Sequence, residues 1–163
     1  MKAISKEELK ELYDKDFPLW VEINLQLLKE KAYHLVDWEN LLEEIEDMWR
    51  RELDVLVGYL AVILEHLYKL DNFQGLAEPK ESQRWLKNIR NAREEIEILF
   101  DWYPSLKNKL PNEVDYAWEF AKIELLRWAW NNNIDLSKDD LPDVCPYTYE
   151  KAMTRDLNRE MKG

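Results

Sequence analysis

Glu52 and His66 fall on the seam of a helical apolar repeat, and Arg90 and Arg93 follow on the next helical segment. An ionisable group on a seam is costly to bury unless a partner compensates it, and either arginine could be that partner. With Glu44, the most ambiguous member of an acidic run upstream, these residues form a candidate buried polar cluster. Carboxylate, imidazole and guanidinium together could make a pocket with shifted ionisation, fit for acid–base work or ligand binding. They could equally be a satisfied cluster that fixes helix register. The sequence leaves both readings open.

The acidic run itself, VDWENLLEEIEDMW at residues 36–49, sets Glu39, Glu43, Glu44, Glu46 and Asp47 among large apolar residues. Glu39, Glu43, Glu46 and Asp47 lie away from the seam and can pair with neighbours such as Arg50 at helical spacing, so a solvated face is expected. A di-iron bundle needs Glu-x-x-His on two helices. Lys31 stands three before His34 and Ile63 three before His66, so neither histidine qualifies. HExxH, an EF-hand loop and paired-cysteine zinc spacing are also missing from the chain, and no metal and no cofactor is expected.

Nucleophilic catalysis finds little support. The serines sit at expected caps or turns, and Cys145, beside Pro146, has no recognisable histidine partner and is expected to pack. Gly58 and Gly75 stand apart, so no phosphate-cradling loop forms, and no histidine follows Arg90 and Arg93 at ribonuclease-like spacing. The aromatic stripes are better explained as core than as a pigment or haem box.

Composition narrows the classes further. The 163 residues are most simply one domain, able to bury roughly 70% of the surface of the unfolded chain. Against 23 Lys plus Arg stand 34 Asp plus Glu, a net charge of −11 that repels phosphate backbones; nucleic-acid binding is not expected. The most apolar stretch, LDVLVGYLAVIL at 53–64, is interrupted by Asp54 and falls short of the ~20 residues a bilayer crossing requires, so no membrane partner is expected. The charged opening MKAISKEELKELYDKDF predicts no secretion signal, and a single cysteine fits a reducing cytoplasm.

Helices must position all of this. Ser5 and Glu8 form a capping box that predicts a short helix over residues 6–15. Asp16 and Pro18 mark a second start, with Trp20, Ile23 and Leu27 facing the core and an end expected near Tyr33. Asp37 can cap a third helix that meets no proline until Pro79, predicting one long central helix from 38 to about 70. Leu42, Trp49, Leu56, Ile63 and Leu70 recur every seven residues, alternating with Ile45, Glu52, Tyr59 and His66. Its second half is apolar almost all round and should be enclosed, with Gly58 permitting close approach or a slight bend.

Residues 71–82 read as the main loop, with Ser82 capping a helix whose stripe is Trp85, Ile89, Ala92, Ile96, Leu99 and Tyr103. Pro104 stops it, SLKNKL suggests a short helical turn, and Pro111 suits the first turn of the next helix. That helix carries Val114, Ala117, Ala121, Leu125 and Trp128 on one face and Tyr116, Phe120, Ile123 and Trp130 on the other. Thr148 caps a last helix that frays toward Gly163. The fold expected is an all-α, single-domain helical bundle over residues 1–163, built around one long central helix with short N- and C-terminal helices.

YDKDF with Trp20, then DWENLLEEIE, EHLYK, a Trp-containing helix with Ile89, Arg90 and Arg93, YPSLKNKL and CPYTYEKA occur in an order that resembles the bacterial family catalogued as domain of unknown function 29. The resemblance spans about residues 13–157 and departs most over MWRRELDVLVGYLAV, where the family more usually has a glycine and a more polar run. It implies an all-helical single domain with no established activity and carries no catalytic residues.

The expectation is a non-enzymatic cytoplasmic helical protein acting through association, as a homo-oligomer, a dimer first, or with a protein partner. Tyr59, Tyr116, Phe120 and Trp130 are the candidate interface. A metal- or small-ligand-binding enzyme using Glu44, Glu52, His66, Arg90 and Arg93 is the alternative. A regulatory partner whose acidic surface meets a basic protein also fits the charge.

Overall fold

Local capping signals set most of the boundaries. The computed structural model describes residues 3–76 and 78–158. The Ser5 hydroxyl accepts the Glu8 amide at 3.1 Å and starts α1 (Lys6–Lys15). Asp16 ends α1 and begins α2 (Phe17–Lys29): its amide donates to the Leu12 carbonyl and its carboxylate accepts the Leu19 amide. α2 closes before the Tyr33 end the sequence suggested, because Lys31 turns left-handed (φ 61°) and the Ala32 amide reaches back to the Leu27 carbonyl. Tyr33–Leu35 then forms a single 3₁₀ turn.

α3 (Trp38–Asn72) runs unbroken for 35 residues, about 52 Å at 1.5 Å per residue. α4 (Pro79–Trp102) starts earlier than a Ser82 cap would allow. Pro79, which has no amide to satisfy, takes the first turn, and Ser82 is buried inside the helix. Two 3₁₀ turns, Pro104–Asn108 and Leu110–Glu113, precede α5 (Val114–Asn131), so Pro111 lies just ahead of the α-helix. α5 ends on left-handed Asn133 (φ 57°), with the Ile134 amide on the Ala129 carbonyl. Thr148 caps α6 (Tyr149–Thr154) by accepting the Lys151 amide. The expected fraying toward Gly163 lies outside the described residues. Six α-helices and no strand occur among the described residues, an all-α fold with one long helix.

These elements gather into two compact units, Met1–Arg51 and Glu52–Gly163, and α3 contributes to each. In the first, Leu9, Trp20 and Val36 form the core. The Tyr13 ring meets Trp20 edge-on at a centroid distance of 5.0 Å. Beside them is a closed polar loop. Trp20 Nε1 donates to Asp37, the Asp37 amide donates to Asn24 Oδ1, and Asn24 Nδ2 donates to the Trp20 carbonyl, all at 2.8–2.9 Å and all buried. Asn40 adds a side-chain bond to Asp37 at 2.7 Å. Three polar residues can be buried here because each answers another.

In the second unit, Leu56, Leu60, Ile63 and Leu67 of α3 meet Trp85, Ile89 and Ile96 of α4 and Trp118, Ala121 and Leu125 of α5. The α4 stripe is the one its periodicity predicts as far as Leu99, which packs half-buried against the core. Tyr103 falls off it because it is the C-terminal cap and is exposed. Residues 53–64 are enclosed except along a strip at Asp54, Val55 and Gly58.

Gly58 makes no close approach, since a Cβ built there meets nothing within 4 Å and its backbone is ordinary helix. Gly58→Ala should therefore raise stability by about 0.5–1 kcal/mol, measurable as an increased urea midpoint at constant slope.

Candidate functional site

Glu44 belongs to the first unit. It is half-buried and accepts the Tyr13 hydroxyl, which pushes the Tyr13 pKa up to about 12. Glu39, Glu43, Glu46 and Asp47 are exposed, with Glu39 holding the Lys10 ammonium.

The other four candidates belong to the second unit. Glu52 is half-buried and Arg90 is exposed. His66 is buried, and Nδ1 lies 2.7 Å from the Val62 carbonyl and 2.9 Å from Glu65 Oε2. A carbonyl only accepts, so Nδ1 carries the proton, and Nε2 meets the Asn88 amide nitrogen at 3.2 Å. Arg93 serves another purpose. Nε and Nη1 donate to the Ala152 and Arg155 carbonyls at 2.9 and 3.0 Å, satisfying groups that the end of α6 leaves open. Burial, and then the charge of Arg155, hold its pKa below the usual guanidinium value.

His66 belongs instead to a cluster with Glu65 and Lys69, neither of which is in the candidate cluster named from the sequence. The Lys69 ammonium lies 3.6 Å from Glu65 Oε2 and 4.6 and 5.7 Å from the ring centroids of Trp128 and Trp85. Burial pulls the Lys69 pKa down, with Glu65 opposing. Burial alone would raise the Glu65 carboxyl, but the His66 and Lys69 contacts outweigh it and hold it below its ordinary value. An acid and a lysine four apart were a visible pairing signal, but the indoles that bury the lysine come from α4 and α5.

A comparison with protein families matches residues 12–157 to "Domain of unknown function DUF29". The chain belongs to this family. Neither the curated proteins nor the solved structures contain a match.

Membership in DUF29 leaves the chemistry to the residues themselves. The His66 ring nitrogens and the Glu65 carboxylate are engaged inside the protein, which suits a load of buried polarity more than a reaction centre. Among the described residues no group of three or more His, Cys, Asp or Glu side chains is arranged to hold a metal ion. Nor, among the described residues, is any helix long and apolar enough to cross a membrane. A second polar tie fastens the chain after α5: Arg155 grips Asp71 through two bonds of 2.9 and 3.0 Å, and the Tyr147 hydroxyl donates to the same carboxylate at 2.6 Å.

Apolar side chains are accessible as well. On α5, Tyr116, Phe120 and Ile123 are exposed along one face and Trp130 is 84% exposed at its end. Tyr59, named with them from the sequence, is half-buried against the core. The first unit carries a separate groove between α2 and the start of α3, lined mainly by Phe17, Val21, Leu25, Leu41, Ile45 and Met48, with a volume of about 400 Å³.

Proposed function

We propose that this protein is a non-enzymatic, cytoplasmic association module whose α5 face pairs two copies of the chain. The observation that carries the reading is the exposed stripe Tyr116, Phe120, Ile123 and Trp130, spaced to share one side of a helix. The flanking charge favours a second copy. Glu119 pairs with Lys122 at 2.9 Å and Glu124 with Arg127 at 2.6 Å along the same helix, so the net repulsion expected of a −11 chain is muted at this face. Beside Trp130 lies a recess of about 720 Å³ lined in part by Leu126, Ile134 and Leu136, room for an aromatic anchor from a twofold-related copy.

Light scattering at micromolar concentration tests this. The expected result is a dimer, with Trp130→Ser raising its dissociation constant about 30-fold, the equivalent of a 2 kcal/mol anchor. A strict monomer with no co-purifying partner would remove the proposal. An unchanged dimer in Trp130→Ser together with Phe120→Ser would move the interface elsewhere.

A further inference from the structure

Resting on the α5 pairing proposed above, we infer that reciprocal salt bridges lock the two copies, Asp135 of each chain to Lys138 of the other. Both side chains line the recess beside Trp130. Both residues are exposed, and among the described residues neither side chain bonds to the other or to any further group. Their charged neighbours differ. Asp140 accepts from the Ser137 amide and hydroxyl, Glu124 holds Arg127, and Asp139 does not line the recess. Closing the recess under an indole would strand a carboxylate and an ammonium, which is costly unless each gains a counter-charge. A second copy of this chain brings one of each sign.

The arrangement is self-complementary. Between Trp130 and Lys138 the chain presents a protruding indole, the hollow beside it and two open charges of opposite sign. With a twofold axis running alongside α5, each residue lies near its own counterpart. Trp130 then reaches the hollow of the other copy, and Asp135 and Lys138, three positions apart, come opposite the partner's Lys138 and Asp135. An antiparallel pairing of the α5 stripes would set Trp130 against the partner's Tyr116 and leave both charges idle. Symmetry makes the bridge twice, so any change at either residue counts twice. Water displaced by the indole strengthens both bridges relative to an open surface.

The test is charge exchange in the full chain, read as dimer dissociation by light scattering and native mass spectrometry, with folding checked by circular dichroism. Asp135→Lys sets lysine against lysine across the axis, and Lys138→Asp sets aspartate against aspartate. Each should raise the dissociation constant about 10-fold. Asp135→Lys with Lys138→Asp in one chain restores opposite pairs and should recover the parent affinity. An equimolar mixture of the two single variants should form a heterodimer tighter than either variant makes with itself. General repulsion between acidic chains gives a different pattern: Asp135→Lys lowers the net negative charge and Lys138→Asp raises it, so the two would shift in opposite directions. Opposite shifts, no recovery in the double variant, or no preferred heterodimer would each overturn the lock. If the dimer still responds to Trp130→Ser, the α5 pairing survives that failure. A monomeric parent would remove the pairing and the lock together.

Discussion

Glu65→Ala should cost about 3–5 kcal/mol, because it leaves the Lys69 ammonium buried between two indoles without its counter-charge. For a chain of this size that is on the order of a 10 °C fall in melting temperature. Lys69→Met alone should be costly in the mirror sense, stranding the carboxylate beside His66. The double replacement Glu65→Leu, Lys69→Met should return to within about 1 kcal/mol of the parent, since apolar residues of similar volume incur no desolvation cost. Calorimetric melting of all four proteins decides the matter, and additive losses would mean that the pair is not the unit.

The same carboxylate sets an acid limit. Its folded pKa lies below that of the unfolded chain, so its contribution is fully present above the unfolded glutamate value near 4.3 and is lost as pH falls through the lower folded one. Lys69 acts at the other end. Its folded pKa is depressed, so the cost of burying its charge is relieved as pH climbs from that folded value toward the ordinary lysine range. Glu65→Gln should flatten the acid limb of a stability–pH curve and, by removing the charge that opposes burial at Lys69, shift the alkaline limb to lower pH.

Asn24→Leu should be the most damaging single change in the first unit, at about 2–3 kcal/mol. The Asp37 amide, buried, would lose its acceptor, and an unsatisfied buried donor costs about 1–3 kcal/mol beyond the bond itself. The loss should be local, appearing in hydrogen exchange as faster opening over residues 17–40 while the α4 and α5 amides keep their protection. Uniform acceleration across the chain would contradict it.

The parts of the fold legible in the sequence were those encoded by near neighbours. Ser5, Asp16 and Thr148 each cap the helix their spacing announces, and α3 is long because nothing between Trp38 and Asn72 breaks it. Where two local signals competed, reading failed. At the start of α4 both Pro79 and Ser82 are credible boundary residues, and the proline prevails because it has no amide to leave unsatisfied. Lys31 ends α2 left-handed with no glycine to announce it.

The candidate cluster shows a deeper limit. His66 is buried as its seam position implies. Arg93 spends its guanidinium on two main-chain carbonyls of a distant segment, a partnership with no side-chain signature. Asn24 gave no signal either, because an asparagine facing a core acquires meaning only when the Asp37 amide arrives to meet it.

The distribution of indoles has a practical outcome. Trp20, Trp85 and Trp118 are sealed, whereas Trp102 and Trp130 stand in solvent. Intrinsic emission should therefore split into a blue, unquenchable component and a red one that acrylamide extinguishes. If two α5 faces close on each other, the Trp130 share of the red band alone should become shielded as concentration rises, giving an unlabelled optical titration.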